Sequence, residues 1–266
     1  MHRAPRHLVA ATAAGLALLV LPLGVALGAL EEAPGKPGAA AEEKAEPAVT
    51  GRVLFDGELP VVKDLEVPAR AAEGCCPPGK EVDRTDMSLR ISQDRGIAGA
   101  VVTVKVVGEK VELPKEPYLL DQKGCRFTPH VLVVPKGGKV AFLNSDETSP
   151  NVHLISVLND PLNQTVLAGK RLERTFDEAE AIKVTCDMHT WMRSWVVVTD
   201  ATHWAVTDEE GRFSLAGLPT GEHEVTVWHE TLGKKTAKVT VGEDGEAAAI
   251  EVKMAKKKSK KRRRRR

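Results

Sequence analysis

The stretch CDMHTWM, residues 186–192, decides how the rest of the chain is interpreted. Within seven residues it sets a cysteine, a histidine and a methionine at the spacing C-x2-H-x2-M, namely Cys186, His189 and Met192. Thiolate and thioether sulfur are soft metal ligands and imidazole is intermediate, a combination that suits copper. A buried cysteine beside a surface histidine and a core methionine would need no metal. The methionine at this spacing favours the copper interpretation.

Short valine-rich segments surround this stretch, separated by turn signals such as Asp56-Gly57 and Asp244-Gly245. Short strands at this spacing predict an all-β sandwich or barrel. No long helical pattern is present, and only residues 163–170 are expected to hold a turn or a short helix. The predicted strands are Val49–Phe55, Leu89–Ser92, Ala100–Val107, His130–Val134, Lys139–Leu143, Val152–Val157, Ile182–Cys186, Trp195–Thr199, Trp204–Thr207, Arg212–Leu215, Glu224–His229, Thr236–Val241 and Ala248–Val252.

Three motifs lead up to and include the CDMHTWM loop. Residues 134–146 read V-x-x-G-x-x-V-x-F-x-N-x-D, an Asn-Val pair follows at Asn151, and the loop comes last. In this order they resemble the cupredoxin family, of the amicyanin and plastocyanin type, over residues 118–200. The resemblance implies a Greek-key β-sandwich that binds one type 1-like copper ion.

Carried over to this chain, the resemblance makes Cys186 the thiolate ligand, His189 the imidazole ligand and Met192 the axial thioether. It also makes Asn151 the residue that ties the two ligand loops together. One tight loop between two strands, residues 186–192 and called the ligand loop, would thus deliver three ligands from a rigid β frame.

The chain departs from the family at the fourth ligand, a histidine directly before the Asn-Val pair. Pro150 stands there and has no donor atom. His153 is the first candidate replacement, but strand alternation points it to the face opposite position 150. His130 is a weaker candidate. Copper binding with His153, copper binding with an open position, and a vestigial site all stay open.

A second motif, T-D-x-x-G-x-F-x-L-x-x-L-P-x-G, occupies residues 207–221. It resembles the carboxypeptidase regulatory-like, transthyretin-like β-sandwich. The G-x-V and A-G-A-x-V-x-V strands of that family lie far upstream, at residues 51–53 and 98–104. We therefore predict a sandwich split into residues 49–110 and 203–253, with a cupredoxin-like domain, residues 118–200, inserted between. The alternative gives residues 89–107 to the cupredoxin-like part.

Aromatic and histidine residues outside the ligand positions have simpler interpretations. Trp191 and Trp195 flank the site in sequence and could shield it or contact a partner, although core or rim packing is the alternative. His223, Trp228 and His229 end the second sandwich, and we interpret them as edge-strand residues.

The chain termini carry the predictions on location. Two arginines precede an uncharged apolar run, so residues 1–30 are predicted to be a signal peptide or an N-terminal membrane anchor. Both place the remainder outside the cytoplasm, in the periplasm or an equivalent compartment. Residues 31–48 lack bulky apolar side chains and are predicted to be a disordered linker. Residues 254–266 are predicted to be a basic disordered tail.

Charge is unevenly distributed. The tail holds ten of the 38 Lys and Arg residues, so the rest of the chain, with 37 acidic residues, carries about −9. The tail is either a solvated arm or a contact for anionic lipid or wall polymer. Export of the chain argues against nucleic acid as a partner.

Four cysteines are present. In an oxidising compartment a disulfide of Cys125 with Cys75 or Cys76 is expected, leaving one thiol over. A second metal site formed by these three cysteines is the less favoured alternative.

Two functions remain after exclusions. The chain contains no Ser/His/Asp set, no recognisable catalytic carboxylate pair and no Gly-rich phosphate loop, so we expect no enzyme. The first function is an exported copper protein that passes electrons or copper to an envelope partner. The second is a non-catalytic envelope scaffold with a vestigial copper site.

Overall fold

β-Strands provide almost all of the regular structure in the computed structural model, which describes residues 48–61, 63–73, 75, 76, 79–245 and 247–256. The helix α1, Ala69–Ala72, lies between the first two strands. The strands are β1 (Ala48–Phe55), β2 (Arg90–Ile91), β3 (Ile97–Ala98), β4 (Val101–Val104), β5 (Tyr118–Gln122), β6 (Phe127–Thr128), β7 (Val131–Pro135), β8 (Gly138–Asn144), β9 (Asn151–Ile155), β10 (Leu162–Thr165), β11 (Arg171–Phe176), β12 (Ala181–Thr185), β13 (Arg193–Thr199), β14 (His203–Val206), β15 (Arg212–Ala216), β16 (Gly221–His229), β17 (Gly233–Val241) and β18 (Ile250–Met254). The all-β prediction is confirmed.

One sandwich, called the split sandwich, is built from both ends of the described chain. Its sheets have the strand orders β15-β1-β18 and β14-β4-β16-β17. Alternate residues of these strands face a shared core, as β15 illustrates, in which Phe213 and Leu215 are buried and their neighbours are exposed. Burial of one face of each sheet is what holds the two sheets together.

The second sandwich, called the central sandwich, is built from β5 to β13. Its sheets have the orders β10-β9-β12-β13-β7 and β11-β8-β5-β6. Its core contains Phe142 and Phe176, whose rings meet edge to face, together with Leu120, Ile182 and Val196. The ligand loop connects the neighbouring strands β12 and β13 of the larger sheet.

Strand β4 decides how the two sandwiches are connected. It pairs with β14 on one side and with β16 on the other, with Val104 opposite both His203 and Val225. Strands from before and after the central sandwich therefore share one sheet, which the insertion hypothesis requires. The domain boundaries themselves stay a prediction.

Several elements differ from the sequence-based expectation. Residues 163–170 hold the expected turn only at their end, where Lys170 N donates to the Leu167 carbonyl oxygen at 2.9 Å. Their start belongs to β10, which pairs with β9 and places Asn163 opposite His153. An edge strand needs only backbone pairing, so its polar sequence gave no alternation to detect. Strands β5, β6 and β11 were also missed. β6 and β11 are the edge strands of their sheet and β11 alternates only weakly, whereas β5 lies between β8 and β6 and only two of its five residues are buried.

The segment after β1 packs on the central sandwich, although the sequence assigned it to the split one. It comprises residues 65–73, 75, 76 and 79–82 and is called the covering segment. Val67, Cys75 and Val82 enter the core of the central sandwich. Arg126 of that sandwich donates a hydrogen bond to the Asp83 carbonyl oxygen, which follows the segment, at 2.6 Å.

The predicted signal peptide or anchor, nearly all of the linker and most of the basic tail lie outside the described residues. No helix among the described residues is long and apolar enough to cross a membrane.

A small apolar cluster and one carboxylate join the two sandwiches. Val101 of β4 packs with Val131 and Val197 of the central sandwich. Glu230, directly after β16, accepts a hydrogen bond from Trp195 Nε1 at 2.8 Å and contacts His130 Nε2 with its other oxygen. Trp195 therefore belongs to the junction between sandwiches, and His130 is engaged by a carboxylate.

His229 is buried at this junction, with 2% of its surface exposed. Our interpretation of Trp228 and His229 as edge-strand residues was wrong, because β16 lies between β4 and β17. Burial lowers the pKa of His229 from 6.5 to about 4, a shift to which His130 adds and which Glu230 opposes. The imidazole is therefore neutral in the folded chain at neutral pH.

We expect His229 to make the fold sensitive to mild acid. Between pH 6.5 and about 4 the unfolded chain binds a proton at His229 and the folded chain does not. The free energy of unfolding therefore falls as the pH falls through this window, by roughly 3 kcal/mol from this group. Denaturant unfolding of His229→Gln as a function of pH should show a shallower decline.

The half-exposed His223 supplies the control for this measurement. His223→Gln should keep the slope of the parent chain. An unchanged slope in His229→Gln would contradict the assignment.

Gly211 is the second position on which the split sandwich depends. It has a positive φ of 75° in the turn between β14 and β15, and its carbonyl oxygen accepts a hydrogen bond from Val53 N. A Cβ atom there would lie 2.5 Å from Val53 O and 2.7 Å from Ile97 N, both backbone atoms. Only glycine fits both the conformation and the space.

We expect Gly211→Ala to cost about 3 kcal/mol or more of unfolding free energy, because overpacking adds to left-handed strain. Gly169→Ala is the matched control, since Gly169 has a φ of 67° and a Cβ there would meet nothing within 4 Å. That variant should lose only about 1 kcal/mol. Equal losses in thermal or denaturant unfolding would show that the close approach to β1 is unimportant.

Candidate metal centre

The ligand loop continues the inward face of β12. Ile182 and Val184 are buried, and alternation places Cys186 on the same side, against the core of the central sandwich. Met192 is buried in that core as well, and its N–H donates to the His189 carbonyl oxygen at 2.8 Å. The fold thus turns all three predicted ligands of the loop inward.

Asn151 connects β9 to this loop. Its Oδ1 accepts hydrogen bonds from the Cys186 thiol at 3.2 Å and from the Asp187 N–H at 2.9 Å. Its Nδ2 donates to Asn163 Oδ1 at 2.7 Å and to Asp187 Oδ2 at 3.0 Å. One amide therefore fixes both the cysteine side chain and the start of the loop.

His189 is buried, with 5% of its surface exposed, and its Nδ1 has no hydrogen-bond partner among the residues that the structure describes. Its ring lies 5.0 Å from that of Trp191, tilted by 33°. Burial lowers the pKa of His189 below its ordinary value, and the nearby Asp146 carboxylate opposes the shift only in part. The imidazole is thus held neutral, as a metal ligand must be.

His153 lies on the outer face of β9. It is half-exposed, and its Nδ1 contacts Asp187 Oδ1 at 2.8 Å. Hydrogen bonds from His153 and then Asn163 hold the pKa of Asp187 below its ordinary value. No group of three ligand atoms within 4.8 Å joins His153 to Cys186 and His189 among the described residues. The fourth family position is the buried Pro150, whose carbonyl oxygen accepts from Val166 N.

The covering segment contacts the ligand loop through its cysteine. Cys75 forms a disulfide with Cys125, one of the two pairings left open by the sequence, and Cys76 is a free, half-buried thiol. The Cys75 sulfur lies 3.8 Å from His189 Nε2. The segment therefore covers the imidazole edge opposite the unpartnered Nδ1.

A tight turn presents Cys125. Gly124 and Cys125 both have positive φ, 62° and 51°, and Lys123 and Arg126 exchange backbone hydrogen bonds across them. This is the geometry of a type I′ hairpin, in which a non-glycine residue is strained. The Asp146 carboxylate offsets the strain by accepting hydrogen bonds from Gly124 N at 2.6 Å and Cys125 N at 2.7 Å.

Trp191 and Asp146 are the site residues whose roles the sequence analysis missed. Trp191 is buried against His189 and donates its Nε1–H to the Cys125 carbonyl oxygen at 3.1 Å. A tryptophan inside the ligand loop was noticed, but its partner lies 66 residues away and left no local signal. Asp146 is the last residue of the motif at residues 134–146, and nothing in that motif indicated a contact with the turn at Cys125.

The comparisons with known proteins concern parts of the chain. A family model described as the carboxypeptidase regulatory-like domain matches residues 195–255. A search of curated proteins gave no match.

Among solved structures, the chain is similar to a copper-containing nitrite reductase from Thermus scotoductus SA-01, with 25% identity and a TM-score of 0.31. This similarity covers 36% of this chain and spans only 25% of the reductase chain. A purple cupredoxin from Nitrosopumilus maritimus shares 23% identity over 31% of this chain and 99% of its own, with a TM-score of 0.28. A mutant of amicyanin in its reduced Cu(I) form shares 22% over 37% of this chain and 98% of its own, with a TM-score of 0.30. The comparisons thus return both families that the sequence resembles.

Proposed function

We propose that the chain is an exported copper protein that binds one ion through Cys186, His189 and Met192 and passes copper or electrons to an envelope partner. The observation that carries the proposal is the buried, unpartnered Nδ1 of His189. A buried polar atom without a partner costs about 1–3 kcal/mol. Coordination of a metal by Nδ1 would remove that cost.

The donor set fits copper. Cys186 is a buried free thiol, Met192 offers a thioether in the same core, and the His189 imidazole is neutral. Bound copper would supply a one-electron couple between its cuprous and cupric states. Soft sulfur ligands favour the cuprous state, which accepts three ligands more readily than the cupric state does.

Each residue then has a distinct task. Cys186 has to lose the proton that it now donates to Asn151 Oδ1, so metal uptake should strengthen as the pH rises. Asn151 keeps the loop in place through the Asp187 N–H whichever form the thiol takes. Trp191 fixes the ring plane of His189 by packing and by its bond to the Cys125 carbonyl oxygen.

Copper carriage suits this site better than electron transfer does. Pro150 leaves the fourth family position without a donor, and His153 is held on the outer face by Asp187. We therefore propose three protein ligands and an exchangeable fourth position. An exchangeable ligand raises the reorganisation cost of electron transfer but opens a route for the ion to leave. The basic tail would add attachment to anionic lipid or wall polymer.

Visible spectroscopy of the full exported chain tests the copper site. Addition of Cu(II) should give an intense charge-transfer band that is lost in Cys186→Ser, because the thiolate supplies the electron density of that transition. Cys76→Ser removes the other free thiol and should keep the band. A band of equal intensity in Cys186→Ser, or none in the parent chain, would leave the scaffold function instead.

The fourth ligand position is tested separately. Pro150→His restores an imidazole where the family carries one, and it should tighten copper binding at least tenfold, about 1.4 kcal/mol. His153→Ala should leave both spectrum and affinity of the parent chain unchanged. Loss of the band in His153→Ala would instead identify His153 as a ligand.

A further inference from the structure

A second group of soft ligands lies next to the ligand loop. The sulfur atoms of Cys75 and Cys125 and one nitrogen of His189 lie within 4.8 Å of one another, and all three residues are buried. No other group of three such ligand atoms occurs among the described residues. In the disulfide form the two sulfurs bond to each other and cannot act as thiolate ligands.

We propose that the reduced chain binds Cu(I) through the Cys75 and Cys125 thiolates and His189 Nε2, and that formation of the disulfide closes this site. Two thiolates and one imidazole form a soft ligand set. Three ligands satisfy Cu(I), whereas a structural Zn²⁺ site takes four. Three ligand atoms that surround one ion at about 2.3 Å lie about 4 Å from one another. The Cys75 sulfur and His189 Nε2 are 3.8 Å apart, and the two sulfurs have to separate once the S–S bond is broken.

The redox step is a thiol–disulfide exchange. A dithiol reductant of the envelope breaks the S–S bond, supplies two electrons and two protons, and itself becomes a disulfide. Cu(I) then displaces the two thiol protons and keeps its oxidation state. Reoxidation of the cysteines by a disulfide oxidant forms the S–S bond again and releases Cu(I).

Contacts other than the S–S bond hold each ligand. Asp146 binds the backbone of Cys125 at 2.7 Å, and Trp191 connects the Cys125 carbonyl oxygen to the His189 ring. The Cys75 N–H donates to the Ala72 carbonyl oxygen at the end of α1 at 3.1 Å. Reduction therefore removes one bond from a cluster that keeps its other restraints, so the three ligands stay close together.

The new site is distinct from the one proposed at Cys186, although a neutral His189 ring offers one nitrogen lone pair and therefore serves one of the two sites at a time. It uses Nε2 of His189, the atom 3.8 Å from the Cys75 sulfur, whereas Nδ1 is the nitrogen without a partner. The two sites share a residue but neither a sulfur nor a nitrogen atom.

The experiment compares two redox states of the full-length Cys186→Ser variant, which lacks the thiolate of the first site. One sample is reduced with a phosphine that is then removed without oxygen, and the other keeps its disulfide. Each competes with bathocuproine disulfonate for Cu(I). The reduced sample should hold one equivalent at least tenfold more tightly than the oxidised sample, and X-ray absorption should report two Cu–S bonds and one Cu–N bond.

Further variants in the same background identify the ligands. His189→Ala should weaken Cu(I) binding by the reduced sample at least tenfold, and Cys76→Ser should leave it unchanged. Equal affinity in both redox states, an unaffected His189→Ala, dependence on Cys76, or loss of the far-ultraviolet ellipticity of folded β-structure on reduction would each overturn the proposal. This result does not depend on the visible band of the parent chain. The band reports on the Cys186 thiolate, and the Cu(I) competition is carried out in a variant that lacks this thiolate.

Discussion

The pairing of β4 with both β14 and β16 is the constraint on which the rest of the structure depends. The chain leaves the split sandwich after Val104 and returns at His203, and these two residues are partners in one ladder. The central sandwich is therefore formed by a stretch of chain whose two ends lie next to each other in the split sandwich. Its orientation is then fixed by the valine cluster around Val101 and by Glu230, which reaches both Trp195 and His130.

Local sequence predicted most of the strands, because those strands bury one face. The alternation in β12 and β15 and the T-D-x-x-G-x-F motif leave direct signals of this burial. The missed elements are those without a regular alternation of buried and exposed residues. β10 and β11 are held by pairing with β9 and β8, and α1 is only four residues long. The covering segment was misplaced because proximity in sequence to β1 says nothing about which core it joins.

The candidate site, like the fold, was predictable from the sequence only in part. The spacing C-x2-H-x2-M predicted a loop, and alternation from β12 accounts for the inward direction of Cys186. The expected outward direction of His153 also follows from alternation, and its contact with Asp187 is consistent with it. What the sequence lacked was any signal for contacts between distant segments. The approach of Cys75 to His189 and the bond from Trp191 to Cys125 join parts of the chain that are 114 and 66 residues apart.

The candidate metal centre is therefore assembled by two kinds of physical effect. Core packing of the central sandwich buries Cys186 and Met192, while the disulfide and the turn at Cys125 bring the covering segment against His189. The first effect belongs to the β frame. The second is contributed by residues that precede the central sandwich in the chain, so the environment of His189 is the joint product of two separate stretches of sequence.

The antiparallel pairing of Val104 with His203 has a consequence for how such a chain is assembled. Two antiparallel strands whose ends lie opposite each other are the two arms of a hairpin, and a two-residue turn suffices to join them. A shorter chain in which such a turn replaces residues 105–202 would keep every strand of the split sandwich in its present order. The central sandwich thus occupies the place of a hairpin loop. Added residues at such a position destabilise the fold only slightly, because each doubling of loop length costs about 0.6 kcal/mol in closure entropy.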